Sequence, residues 1–246
     1  MKSKIEWTET TWNPVTGCTK VSDGCKNCYA EAFAFRLQGM GVEKYKDGFE
    51  VRLHPDTLND PYKWKKSRIV FVNSMGDLFH DKVPVNFILE VFKVMKENPH
   101  HIFQVLTKRA ERLEELEKKG ILEWADNIWM GVTVENKKVI NRIDKLRHTK
   151  AKIKFLSCEP LLGSLKSMNI EGIHWVIAGG ESGKNSRPVK KIWVEEIKEK
   201  CLESDTAFFF KQWGGFNKKK NGRLLDGKIW EEMPELELAD SHNKLF

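Results

Sequence analysis

The chain has 246 residues, 40% of them apolar, which suits one domain of the barrel or α/β kind with a real core. Forty-two basic against thirty-five acidic residues give a net charge of +7, which fits a phosphate-bearing partner such as a nucleotide or nucleic acid. Five cysteines, an odd number and not spread as a framework, argue against a secreted disulfide scaffold. No run approaches the about 18 apolar residues of a membrane span, and Met1–Trp7 has no apolar leader core, so a cytoplasmic protein with no membrane partner is expected.

Residues 1–17 read as an opening strand, with Trp7 and Trp12 flanking threonines and Pro14 near its end. A loop over 17–29 follows, then a helix from Tyr29 to Leu37 closed by Gly39 and Gly41. Residues 42–67 form an irregular, basic connection. Arg68–Asn73 is a short apolar run, too short and too β-branched for a helix. Pro84 starts a helix with Phe87, Ile88, Val91, Phe92 and Met95 on its apolar face. His101–Thr107 is the next strand, and a charged helix through Leu113 and Leu116 stops at Gly120. Asn127–Val134 is another strand, with a helix through Val139, Ile140, Ile143 and Leu146. Lys152–Leu156 follows with a short helix or none after it, then strand Ile173–Ala178, a helix from Lys191 to Leu202, and strand Ala207–Phe210. Beyond the basic turn Lys218–Arg223, an acidic tail that should be flexible begins at Glu231. There is no repeat and no Gly/Ser-rich linker. The expected organisation is therefore a single domain over 1–230 and a tail over 231–246.

Strands alternating with helices at this pace predict a parallel sheet, and the near-continuous apolar strands predict burial of both its faces. The expected fold class is α/β, a partial (β/α)6-7 barrel, with a doubly wound open sheet as the alternative. Most of the nine tryptophans, Trp129, Trp175 and Trp193 among them, lie in periodic segments and read as core.

The cysteine loop is the chemical centre of the sequence. Cys18, Cys25 and Cys28 are spaced C-x6-C-x2-C. A structural zinc site wants four closed ligands, whereas three thiolates leave one position open. The pattern reads as a [4Fe–4S] cluster whose fourth iron is offered to a small molecule.

Polar residues gather at the strand ends: Asn73-Ser74-Met75-Gly76-Asp77, Thr107-Lys108-Arg109, Glu135-Asn136, Ser157-Cys158-Glu159-Pro160, Gly179-Gly180-Glu181-Ser182-Gly183-Lys184 and Lys211-Gln212. Parallel strands send all of them, and the cysteine loop, to one C-terminal mouth. The Gly179–Lys184 turn is not a P-loop, because only three residues separate Gly179 from Gly183 and Asn185 follows Lys184.

A cysteine triad after the first strand of a partial barrel resembles the radical S-adenosylmethionine superfamily. More closely, Ile5–Thr8, Trp12–Cys18, Val72–His80, Phe103–Arg109, Phe155–Gly163, Gly179–Gly183 and Phe209–Gly214 resemble the phage-derived three-Cys-motif family, whose reaction is not established. The first gap of six residues departs from the superfamily's usual three. The resemblance implies that Cys18, Cys25 and Cys28 hold three irons of a [4Fe–4S] cluster and that the fourth iron chelates S-adenosylmethionine. It implies that Asn73, Ser74 and Asp77 receive the methionyl amine, that Glu135 or Asn136 contacts the ribose, and that Gly179 and Gly180, with Glu181 beside them, admit adenine. A 5′-deoxyadenosyl radical would then form after one-electron reduction by an electron donor.

Lys108, Arg109, Glu159, Lys211 and Gln212 are left for an anionic substrate, with Cys158 as a candidate hydrogen-atom donor or an inert buried thiol. Two other readings compete. In a non-catalytic zinc or iron–sulfur nucleic-acid-binding protein, His54 or Cys158 would close the triad. In a hydrolase or transferase, Glu135, Glu159 and Glu181 would do acid/base work. Cys201 reads as core, and His54 and His80 as solvated loop histidines or metal ligands.

Overall fold

The structure, a computed structural model, describes residue 3 and residues 5–235. Its strands are β1 Thr10–Trp12, β2 Val15–Thr16, β3 Arg52–Leu53, β4 Ile69–Val72, β5 Ile102–Thr107, β6 Ile128–Thr133, β7 Lys154–Cys158, β8 Trp175–Gly179 and β9 Ala207–Gln212. The α-helices between them are α1 Tyr29–Gly39, α2 Val85–Glu97, α3 Ala110–Lys118, α4 Arg142–Arg147 and α5 Lys191–Glu203, and a single turn, Lys218–Asn221, follows β9.

Seven strands form one sheet in the order β1-β4-β5-β6-β7-β8-β9, every neighbour parallel. The order follows the chain without reversal. A doubly wound sheet must reverse its order at a switch point, so this is the curled half-barrel and the alternative topology is absent. No helix among the described residues is long and apolar enough to cross a membrane.

The pleat sorts the residues into two layers. Val70, Val105, Met130, Leu156, Val176 and Phe208 join Ile88, Leu113 and Val194 in the layer between sheet and helices. The inner face carries Trp7, Phe71, Trp129, Phe155, Trp175 and Phe209, rings that fill the lower part of the half-barrel. Trp175 sits centrally, 6.0 Å from Trp7, 5.6 Å from Phe155 and 6.1 Å from Phe209. Aromatic filling below leaves the upper, C-terminal end open for polar groups.

Two details differ from the sequence reading, and a third, expected as a short helix or none, is now defined. The opening strand is only three residues long, because after Pro14 the chain turns off to pair β2 with β3 antiparallel; the connection over 42–67 is therefore partly a hairpin partner. No helix follows β7, and residues 159–173 cross to β8 without one. The boundary expected at residue 231 falls inside a paired strip: Phe210 N–H donates to Trp230 O (2.9 Å) and Glu232 N–H to Phe208 O (3.2 Å). That strip covers the outer edge of β9, which would otherwise stand as an unpaired edge. The rest of the expected tail, 236–246, lies outside the described residues.

Candidate functional site

Cys18, Cys25 and Cys28 are half-buried and line one cavity of about 450 Å³ at the C-terminal mouth. Its volume is within the range of small-molecule sites. Asn73, Ser74, Asp77, Lys108, Arg109, Glu159, Gly180, Glu181, Lys211 and Gln212 line it too, with Trp7, Phe71 and Leu106 as apolar wall. The strand ends after β4, β5, β7, β8 and β9 thus meet the cysteine loop in one place, as parallel strands dictate.

Much of this polar set is spent on holding the loop. Glu135, fully buried, accepts the Gly24 N–H at 3.1 Å and pairs with buried Arg142 at 3.1 Å. Asn136 donates to Asp23 Oδ2 at 3.1 Å. Glu181 accepts from Asn27 Nδ2 at 2.9 Å and pairs with Arg187, whose Nη1 donates to Asp23 O at 2.9 Å. Burial opposes the Glu181 charge, but its hydrogen bonds from Arg187 and Asn27 outweigh it together and hold the carboxyl below its ordinary range. The Tyr29 hydroxyl donates to Ser74 O at 2.6 Å.

Arg109 braces the other end. Its Nη1 donates to Cys18 Sγ at 3.3 Å and lies 3.4 Å from Asp77 Oδ2, and its Nη2 donates to Thr19 Oγ1 at 2.8 Å. Asp77 also accepts from Thr107 Oγ1 (2.7 Å) and from the Phe79 and Lys108 amides. Burial, reinforced by the Asp77 charge, pushes the Cys18 thiol up to about 11 against the pull of Arg109. A thiolate there needs a cation beside it.

Several expectations are corrected. Glu135 and Asn136, expected near the ribose, do not line the cavity; both hydrogen-bond to the cysteine loop. Gly179 does not line the cavity and Gly180 does, while a Cβ on Gly179 would stand 2.6 Å from Glu159 Oε1 and one on Gly180 only 2.1 Å from Trp213 O. The protein itself uses that bare backbone. Cys158 faces the helix layer, where complete burial holds its thiol well above the ordinary value, so it is the inert alternative. Cys201 is core, as expected. Arg109, set aside for substrate, serves Cys18.

Lys108, Glu159 and Lys211 do line the cavity, with Lys108 Nζ donating to Thr133 Oγ1 (3.3 Å) and Lys211 Nζ 3.2 Å from Glu159 Oε1. Asn73 holds the Val15 amide with Oδ1 at 3.0 Å, while its buried Nδ2 has no partner. Gly24, Asn27, Arg142 and Arg187 were missed by sequence reasoning. Gly24 and Asn27 gave a signal, by standing between cysteines of the triad.

The competing site readings fare worse. His54 is 2.8 Å from Thr16 Oγ1 and His80 is 2.9 Å from Thr19 Oγ1; neither lines the cavity, and Cys158 faces away, so none closes a tetrahedral site. Among the described residues, no three Cys, His, Asp or Glu side chains form a set for a single metal ion. Thiolates on one zinc, each at about 2.3 Å, crowd together; thiolates that each take a different iron of a cluster stand further apart. Three thiols of one loop, half-buried around an open cavity, are a donor set of the type an iron–sulfur cluster takes. The hydrolase reading loses Glu135 and Glu181 to ion pairs.

A family model described as protein of unknown function (DUF5131) matches residues 2–234. No curated protein matches the sequence. Among solved structures, spore photoproduct lyase complexed with dinucleoside spore photoproduct is similar with a TM-score of 0.51 and 12% identity, over 82% of this chain and 63% of that one. A mutant of the same lyase gives a TM-score of 0.51 at 12% identity, and a second gives 0.50 at 11%, both over 82% and 63% of the two chains. This chain thus spans less than two thirds of the lyase. The likeness is one of fold, the curled parallel half-barrel.

Proposed function

The chain belongs to the DUF5131 family, and we propose that it is a radical S-adenosylmethionine enzyme acting on a nucleotide or nucleic acid. Cys18, Cys25 and Cys28 would hold a [4Fe–4S] cluster. The observation that carries this reading is that all three thiols border one cavity with Asp77, Lys108, Glu159, Gly180 and Lys211. When bound, cluster and S-adenosylmethionine would supply hydrogen-abstracting radical chemistry, the one electron it consumes coming from a separate donor.

The chain's own residues bind, orient and exclude water. Asn73, whose Nδ2 lacks a partner, and the Ser74 and Asp77 positions lie on the cofactor side. Lys108 and Lys211 bring two cations to an anionic substrate, and Glu159 orients Lys211 from 3.2 Å. Trp7, Phe71 and Leu106 provide an apolar wall that keeps a reactive intermediate from water. The net charge of +7 and the fold shared with a lyase complexed with a dinucleoside favour a nucleotide-type substrate. The reading includes a separate electron donor and a reducing, cytoplasmic setting.

The test is anaerobic reconstitution with iron and sulfide, then reduction with S-adenosylmethionine present. The expected result is a brown protein that releases 5′-deoxyadenosine, and no release from Cys25→Ala. Tightly bound zinc with no cofactor cleavage would overturn the assignment.

A further inference from the structure

From the rim of the same cavity we infer that the partner is single-stranded nucleic acid, laid along an arc of exposed aromatic and cationic side chains. The inference rests on the proposed function for which cavity holds the reacting centre; the arc itself is independent of the cluster. Tyr29, Phe33 and Phe216 are 57%, 46% and 79% exposed. Tyr29 lines the cavity, and Phe33 lies one turn further along α1. Phe216 follows Gly215, whose amide donates to Glu181 O at 2.7 Å and which bridges to cavity-lining Ser182. Lys26 belongs to the cysteine loop, three residues before Tyr29, and Lys184 to the turn after β8. Asn27 Nδ2 donates to Asn185 O at 2.8 Å and Gly183 N–H to Gly215 O at 3.2 Å, so the segments form one continuous border.

The charge on this border is unbalanced. Its carboxylates are already matched, Glu31 by Lys20, Asp23 by Lys138 and Glu181 by Arg187. Lys26 and Lys184 are exposed and form no ion pair among the described residues. Exposed rings that a base can stack on, alternating with unpaired cations that a phosphate can reach, are the recognition pattern for single strands. A duplex is a poor fit, because the thiols and Lys211 lie inside a cavity and a paired base would first have to leave its stack to reach them.

The test uses the full-length, metal-free protein and a fluorescein-labelled 15-nucleotide single strand of mixed sequence, read by anisotropy. Binding is expected to weaken with salt, with a shallower slope for K26E/K184E. F33A and F216A, both exposed and so expected to keep the wild-type melting curve, should each raise Kd roughly fivefold or more. Absence of binding at 50 mM salt, preference for the matching duplex, or unchanged Kd in both alanine variants would each overturn the inference. So would self-association through α1 that F33A abolishes and the oligonucleotide does not disturb. Because no cluster takes part, failure here leaves cofactor cleavage intact, and failure of cofactor cleavage leaves this binding measurable.

Discussion

Arg109 stands with its guanidinium between a carboxylate and a thiol, almost wholly buried. Its side chain and that of Asp77 are 6% and 7% exposed, so neither charge has solvent to fall back on. Removing one member of a buried pair costs more than the pair gains over an apolar substitute, because the survivor is left uncompensated. Arg109→Gln is therefore expected to lower unfolding stability by roughly 3–5 kcal/mol in urea. Arg109→Lys should lose less, since it keeps the charge near Asp77 and gives up the fork that reaches Thr19 and Cys18 together. Equal midpoints for wild type and Arg109→Gln would show that the geometry at Cys18 does not depend on this residue.

At the scale of elements, the packing of adjacent strands sets the depth of the site. On β6, Gly131 lies under the ring of Phe155 on β7, and a Cβ there would come within 2.5 Å of that ring. Phe155 is fully buried among the inner aromatics and has no room to move. Gly131→Ala should overpack this layer and destabilise by about 1–3 kcal/mol, measured as a lower urea midpoint with unchanged m. A neutral effect would mean that the aromatic layer yields. The same comparison explains what was readable in the sequence. β4 to β9 announce themselves as apolar runs, and their order makes one mouth certain once all are parallel. A two-residue strand such as β2 has no periodicity to read. Strand alternation already sets Cys158 opposite Ser157 and Glu159, so its burial was legible. Glu135 and Glu181 were not, because a strand-end carboxylate looks the same in sequence whether it meets a ligand or a loop. Their partners, Gly24 and Arg187, lie 111 and 6 residues away.

For the molecule as a whole, the histidines tie stability to pH. His54, His80 and His101 are buried, and with His174 they all have lowered pKa values, in each case chiefly because burial disfavours the charged ring. His54 is lowered to about 4, with Lys44 adding repulsion. An unfolded chain protonates these rings near their ordinary value of about 6.5, whereas the folded chain resists. Between those limits the unfolded state binds more protons, so stability falls as pH falls. The thermal midpoint should therefore be level from about pH 8 to 7, fall from about pH 6.5 and keep falling towards pH 4. His54→Gln, which keeps a polar atom near Thr16 Oγ1 and cannot charge, should shallow that slope. A midpoint that rises on acidification through this window, or a slope that His54→Gln leaves unchanged, would assign the pH response to other groups. The carboxylates Glu114 and Asp226, each lowered to about 2 chiefly by hydrogen bonds from His148 and Lys191 respectively, mainly extend the loss below pH 4 and leave the upper part of the window to the histidines.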